Sequence, residues 1–564
     1  MSQRGGTTCA NSLKLEMNKF KAFVVKKKQR ESTQPLIEDN NDIQDGFKQA
    51  PCTRYENPLV QNTLNIHKEQ RLQSEEQITL EKFAELLHVP LEDGSCCSTH
   101  RQLNAEQQHL CLVQRSVDQH FQELSPDVDQ NLHQYLENVR KMVITEFVRL
   151  GPPLTRMGLM GSLIDCYHRE TFTRLDDLLQ IVRPSKNSFE LMKWVLHTYL
   201  SPEMLCHPEL QEVDPIKKVD LLLFTEWVGK AKDKLLENVE NEVKVFLEKI
   251  LQNERDKETV KDDLYVDTIQ CIDAMIEAGR QISQKLSGRV QDVCFQELLN
   301  FLTQYTNEQT EILEKKAKVD QPEIKDFFKT LKNCKEIKQY IQTKEIKTSL
   351  LKETLAVLDN METFTLKVLK EITADMTERY LKKYFKSENK DFLPLIQDLK
   401  HLFSELQGFQ GVQMRVVHEA YKLVTYLYLK HFIQRSKKKL LRCWGPDVGR
   451  TVYQDAEMLQ ETFSMMAPGV EQWHLMLLSV RELDECESFD AVKLTVARMH
   501  DEYHTWSEFM EILPALLRWK GLSKRKIMEL EDILKDLPNY QPRAGSVSWF
   551  LCFIYKRIDR NKQR

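Results

Sequence analysis

The stretch DLLLFTEWVGKAKDKLLENVENEVKVFLEKIL, residues 220–251, limits what this chain can fold into. Leu235, Val239, Val243, Phe246 and Ile250 recur at steps of four and three, with Lys234, Glu237, Glu240, Glu242 and Lys249 largely on other faces. Such spacing follows the 3.6-residue period of an α-helix and predicts one apolar stripe on a long helix. LYVDTIQCIDAMIEAGRQISQKL repeats the pattern with Ile269, Ile272, Ile276 and Ile282. FQELLNFLTQYTNEQTEILEK does so with Leu298, Leu302, Tyr305 and Ile312. A stripe of this kind must be buried against another element, and here the other elements are also helices.

Turns are scarce. The chain has 17 Gly and 18 Pro among 564 residues, about half the usual share. Helix breaks are expected at Gly151-Pro152-Pro153, Arg183-Pro184-Ser185, Ser201-Pro202, Asp320-Gln321-Pro322, Trp444-Gly445-Pro446 and Leu537-Pro538. Proline removes a backbone donor there and biases the preceding residue away from helical angles. No strand is expected, and no fixed-period repeat marks a solenoid. The predicted fold is all-α, an elongated rod of tandem antiparallel helical bundles. Its expected organisation is a basic amphipathic segment over 1–30 and a mostly disordered linker with one short helix over 31–102. N-terminal helices over 103–150 and the helical rod over 151–564 follow.

Catalytic signatures are weak. His500 and His504 in HDEYH share a helix face, but Asp501 stands where a metalloprotease needs its Glu, and no third ligand follows at a familiar spacing. Two exposed helix histidines are the expected reading. Cys96, Cys97, His100, His109 and Cys111 match no zinc-finger spacing. GPPLTRMGLMGSL lacks the Gly-Lys-Ser/Thr of a phosphate-binding loop. No enzyme activity, cofactor or metal is expected, and the net charge of −5 gives no general call for nucleic acid. Thirteen scattered cysteines without a secretory signal read as reduced thiols of a cytoplasmic protein. The longest uncharged apolar run, VSWFLCFIY at 547–555, is half the length needed to cross a bilayer. Neither myristoylation nor prenylation is signalled.

Basic residues cluster locally instead. KFKAFVVKKKQR, residues 19–30, interleaves Lys19, Lys21, Lys26, Lys27, Lys28 and Arg30 with Phe20, Phe23, Val24 and Val25. As a helix, residues 12–25 line up Leu13, Met17, Phe20 and Val24, an arrangement that lies in a bilayer interface. Near an anionic leaflet each basic residue adds about 1 kcal/mol. A nuclear import signal at Lys27-Lys28-Gln29-Arg30 and a merely solvated tail are the other readings of the same residues. A second cluster, KHFIQRSKKKLLRCW at 430–444, continues an apolar helix. It predicts a collar of Lys430, Arg435, Lys437, Lys438, Lys439 and Arg442 at a helix C-terminus, where the helix dipole favours cations. The collar reads either as dipole complementarity or as an anionic partner surface. The tail KRIDRNKQR is a third cluster.

Several passages resemble the exocyst complex component 3 family, on the branch of tumour necrosis factor alpha-induced protein 2 (M-Sec) and the exocyst component 3-like proteins. NSFELMKWVLHTYLSPEMLCHPEL (187–210) is similar to the family's Trp-bearing helix and the loop after it. YVDTIQCIDAMIEAGRQISQKLSGRVQDVCFQELLNFLTQY (265–305) is similar to its two central helices. TYLYLKHFIQRSKKK (425–439) is similar to a helix ending in basic residues, with Arg435 in place of the family's Leu. FDAVKLTVARMHDEYHTWSEFMEILPALLRWKGLSKRKIMELEDIL (489–534) is similar to its closing helices.

The resemblance implies a peripheral membrane tether or adaptor in exocytosis or membrane protrusion. Its partners would be exocyst subunits, SNARE proteins or Ral-type small GTPases, together with an anionic phosphoinositide membrane. The lipid-binding role falls by position and character on Lys19, Phe20, Lys21, Phe23, Lys26, Lys27, Lys28 and Arg30, although M-Sec carries a denser lysine run. Lys437, Lys438 and Lys439 are the candidate partner contact. The implied place is cytoplasmic, peripheral at the plasma membrane. A soluble helical scaffold that binds partner proteins without lipid contact is the alternative.

Overall fold

The computed structural model describes residues 111–535, apart from short stretches of which 206–214 and 256–263 are the longest. The chain divides into two units, residues 1–78 and 79–564, and every described residue lies in the second. The segment 1–30, the linker expected over 31–102 and the break expected at Leu537-Pro538 lie outside the described residues.

The described residues are helical, with no strand among them. The helices are α1 (Leu132–Arg156), α2 (Met160–Ile181), α3 (Ser185–Lys193), α4 (Leu221–Arg255), α5 (Leu264–Arg280), α6 (Gln284–Ala317), α7 (Lys325–Gln342) and α8 (Thr348–Tyr384). There follow α9 (Leu393–Leu402), α10 (Gln413–Ile433), α11 (Lys437–Trp444), α12 (Val448–Met466), α13 (Leu475–Glu485), α14 (Phe489–Glu502), α15 (Ser507–Lys520) and α16 (Lys524–Lys535). Short polar residues start several of them by accepting orphan backbone donors. The Asp220 carboxylate takes Leu222 N at 2.9 Å and Leu223 N at 3.1 Å, and Ser283 Oγ takes Leu286 N at 3.1 Å.

Cross-helix contacts give the directions. α6 and α7 are antiparallel: Phe295 stacks on Tyr340, Asn333 Nδ2 donates to Tyr305 Oη at 3.2 Å, and Lys316 pairs with Asp326. α10 and α12 are antiparallel too, since Gln413 meets the Met466 carbonyl, Tyr421 meets Gln460 and Tyr428 meets Asp455. α8 and α10, by contrast, run parallel. Along α8 and α10 the ion pairs Glu362–Arg415 (2.8 Å), Lys370–Glu419 and Glu378–Lys430 (3.3 Å) advance together. Antiparallel neighbours such as α6 and α7, joined by short connections, are the packing of helical bundles. Packing also follows chain order, from α2 and α3 on α4, through α4 on α5 and α6, to α6 on α8 and α8 on α10. The all-α expectation of tandem helical bundles is the observed architecture.

The stripe of α4 differs in detail from its sequence reading. Leu235, Val239 and Val243 are fully buried, but the stripe continues through Leu247 and Leu251, while Phe246 is 40% exposed. Buried positions every four residues advance about 40° per step on a helix of 3.6 residues per turn. The buried face therefore winds around α4 as its neighbours change from α2 and α3 to α5 and α6. For the same reason Leu313 of α6 is buried and Ile312 only partly so.

The break expected at Gly151-Pro152-Pro153 is not there. α1 runs through these residues to Arg156, and the chain leaves the helix near Gly158, whose φ is +71°. Proline keeps a helical φ but forfeits its N–H bond and crowds the carbonyl four residues back, and here the helix continues only one turn beyond Pro152 and Pro153. The expected breaks at Pro184, Pro202, Pro322 and Pro446 fall between helices.

Candidate interaction surface

The eight N-terminal candidates, Lys19, Phe20, Lys21, Phe23, Lys26, Lys27, Lys28 and Arg30, lie outside the described residues. Lys437, Lys438 and Lys439 are described, and their setting corrects the sequence reading. α10 ends at Ile433, with Lys430 in its last turn held by Glu378. Ser436 then takes extended angles (φ −65°, ψ 143°), and α11 begins at Lys437. The three lysines thus form the first turn of a new helix rather than a collar at the C-terminus of the old one. Helix N-termini carry partial positive charge, so each cation there is disfavoured by a few tenths of a kcal/mol. Dipole complementarity does not account for them.

Lys437 has a structural partner. Its ammonium pairs with Asp484 of α13 and sits 5.6 Å from the centre of the Trp519 ring in α15. Trp519 in turn donates from Nε1 to the Arg435 carbonyl at 2.8 Å and packs on Phe432 with ring centres 4.5 Å apart. Lys520 Nζ donates to the carbonyls of Cys486 (2.7 Å) and Asp484 (3.3 Å). These contacts fasten the turn between α10 and α11 to α13 and α15. Lys438, Lys439 and Arg442 are exposed.

A second basic turn escaped the sequence reading. α16 opens with Lys524, Arg525 and Lys526 after Ser523, whose Oγ accepts from Lys526 N at 3.4 Å. Lys526 Nζ stands 4.9 Å from the Phe489 ring centre, and Lys493 Nζ 4.6 Å from the same ring. Lys437 touches Trp519 in the last turn of α15, and α16 starts four residues after Lys520. Both basic turns therefore lie at the same end of α15. The signal was legible as a repeated tetrapeptide, Ser-Lys-Lys-Lys at 436–439 and Ser-Lys-Arg-Lys at 523–526.

The histidine pair does not stand as expected. His500 is buried, only 4% exposed, and His504 lies outside the described residues. Of the second cysteine–histidine cluster only Cys111 is described, as an exposed free thiol. Among the described residues no group of three or more His, Cys, Asp or Glu side chains is placed to hold a metal ion. None of the described helices is long and apolar enough to cross a membrane.

Fold and surface together define a helical-bundle protein with paired basic helix starts near its C-terminal end. No family model matches the chain. It is 25% identical over 401 residues to Exocyst complex component 3-like protein of Bos taurus, covering 64% of this chain and 52% of that protein. It is 25% identical over 127 residues to Exocyst complex component 3 of Drosophila melanogaster, covering 21% of this chain and 17% of that protein. The chain thus spans about half the length of the bovine relative and less of the fly protein. In fold it is similar to the crystal structure of M-Sec, with a TM-score of 0.59 at 15% identity over 86% of this chain and 87% of that one. These likenesses bear out the resemblance to the exocyst component 3 family on its component 3-like and M-Sec branch.

Proposed function

We propose that the chain is a tethering or adaptor protein of the exocyst component 3 type, held peripherally at an anionic membrane and recruiting protein partners through its helical bundles. The observation that carries the reading is the 401-residue similarity to an exocyst component 3-like protein. The fold shared with M-Sec supports the same architecture. Phosphoinositide contact is assigned to Lys19, Phe20, Lys21, Phe23, Lys26, Lys27, Lys28 and Arg30, where cations and aromatics alternate. Exocyst subunits, SNARE proteins or Ral-type GTPases are the proposed partners. Lys438 and Lys439, with Lys524 and Arg525 at the same end of α15, are the residues assigned to an acidic partner surface, and Lys437 is held by Asp484.

Recovery of the tagged chain from cell lysate, with the bound proteins identified by mass spectrometry, tests the partner half. Exocyst subunits or SNAREs are expected, with less recovered when Lys438 and Lys439 are replaced by Glu. A preparation that enriches neither removes the tethering reading and leaves a soluble helical scaffold.

A further inference from the structure

A buried carboxyl group joins three helices at the root of α11. Asp455 of α12 is 1% exposed, and the hydroxyls of Tyr384 (α8) and Tyr428 (α10) both donate to its Oδ2 at 2.6 Å. Among the described residues no cation is paired with it. The titratable neighbours from α8 are Tyr384 and Tyr380. The approach to α9 brings Asp391, whose carbonyl accepts from the Tyr380 hydroxyl, and α9 brings Asp398 on the Tyr380 side. From α10 comes Tyr428, while Arg481 of α13 lies over Tyr453 on another side of α12. α11 contributes Trp444, packed against Tyr384 and Phe385 with ring centres 5.1 and 5.2 Å apart.

A carboxylate buried without a counter-ion holds its proton more tightly than one in water. Burial pushes Asp455 up to about 7, even though both tyrosine bonds pull it down. Trp444 Nε1 of α11, Thr377 Oγ1 of α8 and Thr425 Oγ1 of α10 are buried donors without an acceptor. α11 is seated by buried Leu440 and Trp444 and held at its first residue by the Lys437–Asp484 ion pair. An ionised Asp455 favours a rearrangement that admits water or a further donor, and the Trp444 ring packed on Tyr384 couples such a rearrangement to α11.

We propose that Tyr384, Asp455 and Tyr428 form a proton-operated clasp for α11. With the carboxyl protonated, the aromatic seat of Trp444 is closed. When the proton leaves to solvent, the seat loosens and α11 is released, together with the exposed Lys438 and Lys439. The inference concerns this chain's own fold and stands whatever partner those lysines meet.

Hydrogen–deuterium exchange on the full chain tests it, at about pH 6 and about pH 8.5, corrected for intrinsic rates and read on peptides spanning 437–447. Protection of α11 relative to α6 is expected to fall about tenfold or more at the higher pH. Asp455→Asn, which stays neutral, is expected to keep α11 protected at both. Tyr428→Phe removes one donor to the anion and is expected to move the midpoint to higher pH. Equal protection of α11 at the two pH values in the unmodified chain overturns the proposal, as does an unchanged pH response in Asp455→Asn. Should Asp455→Asn fail to fold, an unmoved midpoint in Tyr428→Phe overturns it alone.

Discussion

Glu362 of α8 is buried between two cations, 3.0 Å from Lys338 Nζ of α7 and 2.8 Å from Arg415 of α10. Removing one member of a buried ion cluster leaves the others without compensation, typically at about 3–5 kcal/mol. Arg415 is half exposed and rehydrates readily, so Glu362→Ala is expected at about 2–3 kcal/mol, read from urea denaturation. Asp455 gives the opposite sign. Its folded-state pKa is raised, so the folded state binds the proton more tightly than the unfolded one. That stabilisation is fully present below about pH 4 and is lost as pH rises toward about 7. Asp455→Asn should therefore gain thermal stability over the unmodified chain as pH rises from 5 to 8 in melting curves. At this scale the sequence was least legible. Neither carboxylate stands out among the acidic residues until the helices bring Tyr384, Tyr428, Lys338 and Arg415 against them.

At the scale of elements, periodicity revealed that α4, α5 and α6 exist but not which face each buries. The stripe of α4 winds because its neighbours change, and no single-helix pattern contains that information. The end of α10 was missed because Gln434, Arg435 and Ser436 include neither Gly nor Pro, and tertiary contacts from Trp519 and Asp484 set the break. Lys437 and its two neighbours should consequently behave differently. Lys437→Ala is expected to cost about 1 kcal/mol of stability, whereas Lys438→Ala and Lys439→Ala should leave the melting temperature unchanged. Thermal denaturation of the three variants separates them. The junction of α5 and α6 makes a further demand. A Cβ on Gly279 would stand 3.1 Å from Ser287 Cα and 3.3 Å from Val290 Cγ2. Because the nearer atom is backbone, Gly279→Ala is expected to destabilise by about 1–2 kcal/mol in chemical denaturation.

For the molecule as a whole, serial packing leaves α1–α3 and α14–α16 without substantial mutual contact among the described residues. Different neighbours at the two ends of this series leave different helix faces outward, which suits the adaptor role proposed above. Helix content and bundle class were readable from scarce Gly and Pro and from repeated stripes. The basic N-terminus was readable only as chemistry, because alternating Lys and Phe suits a membrane, an import receptor or solvent alike until a target is supplied. Liposome co-sedimentation with and without phosphatidylinositol 4,5-bisphosphate supplies it, comparing the intact chain with one carrying Lys19, Lys21, Lys26, Lys27, Lys28 and Arg30 as Gln. Binding that depends on the anionic lipid and is abolished in the substituted chain is the predicted result. Failure of the intact chain to sediment with these vesicles, or equal binding by both forms, would contradict the assignment of this segment as the membrane anchor.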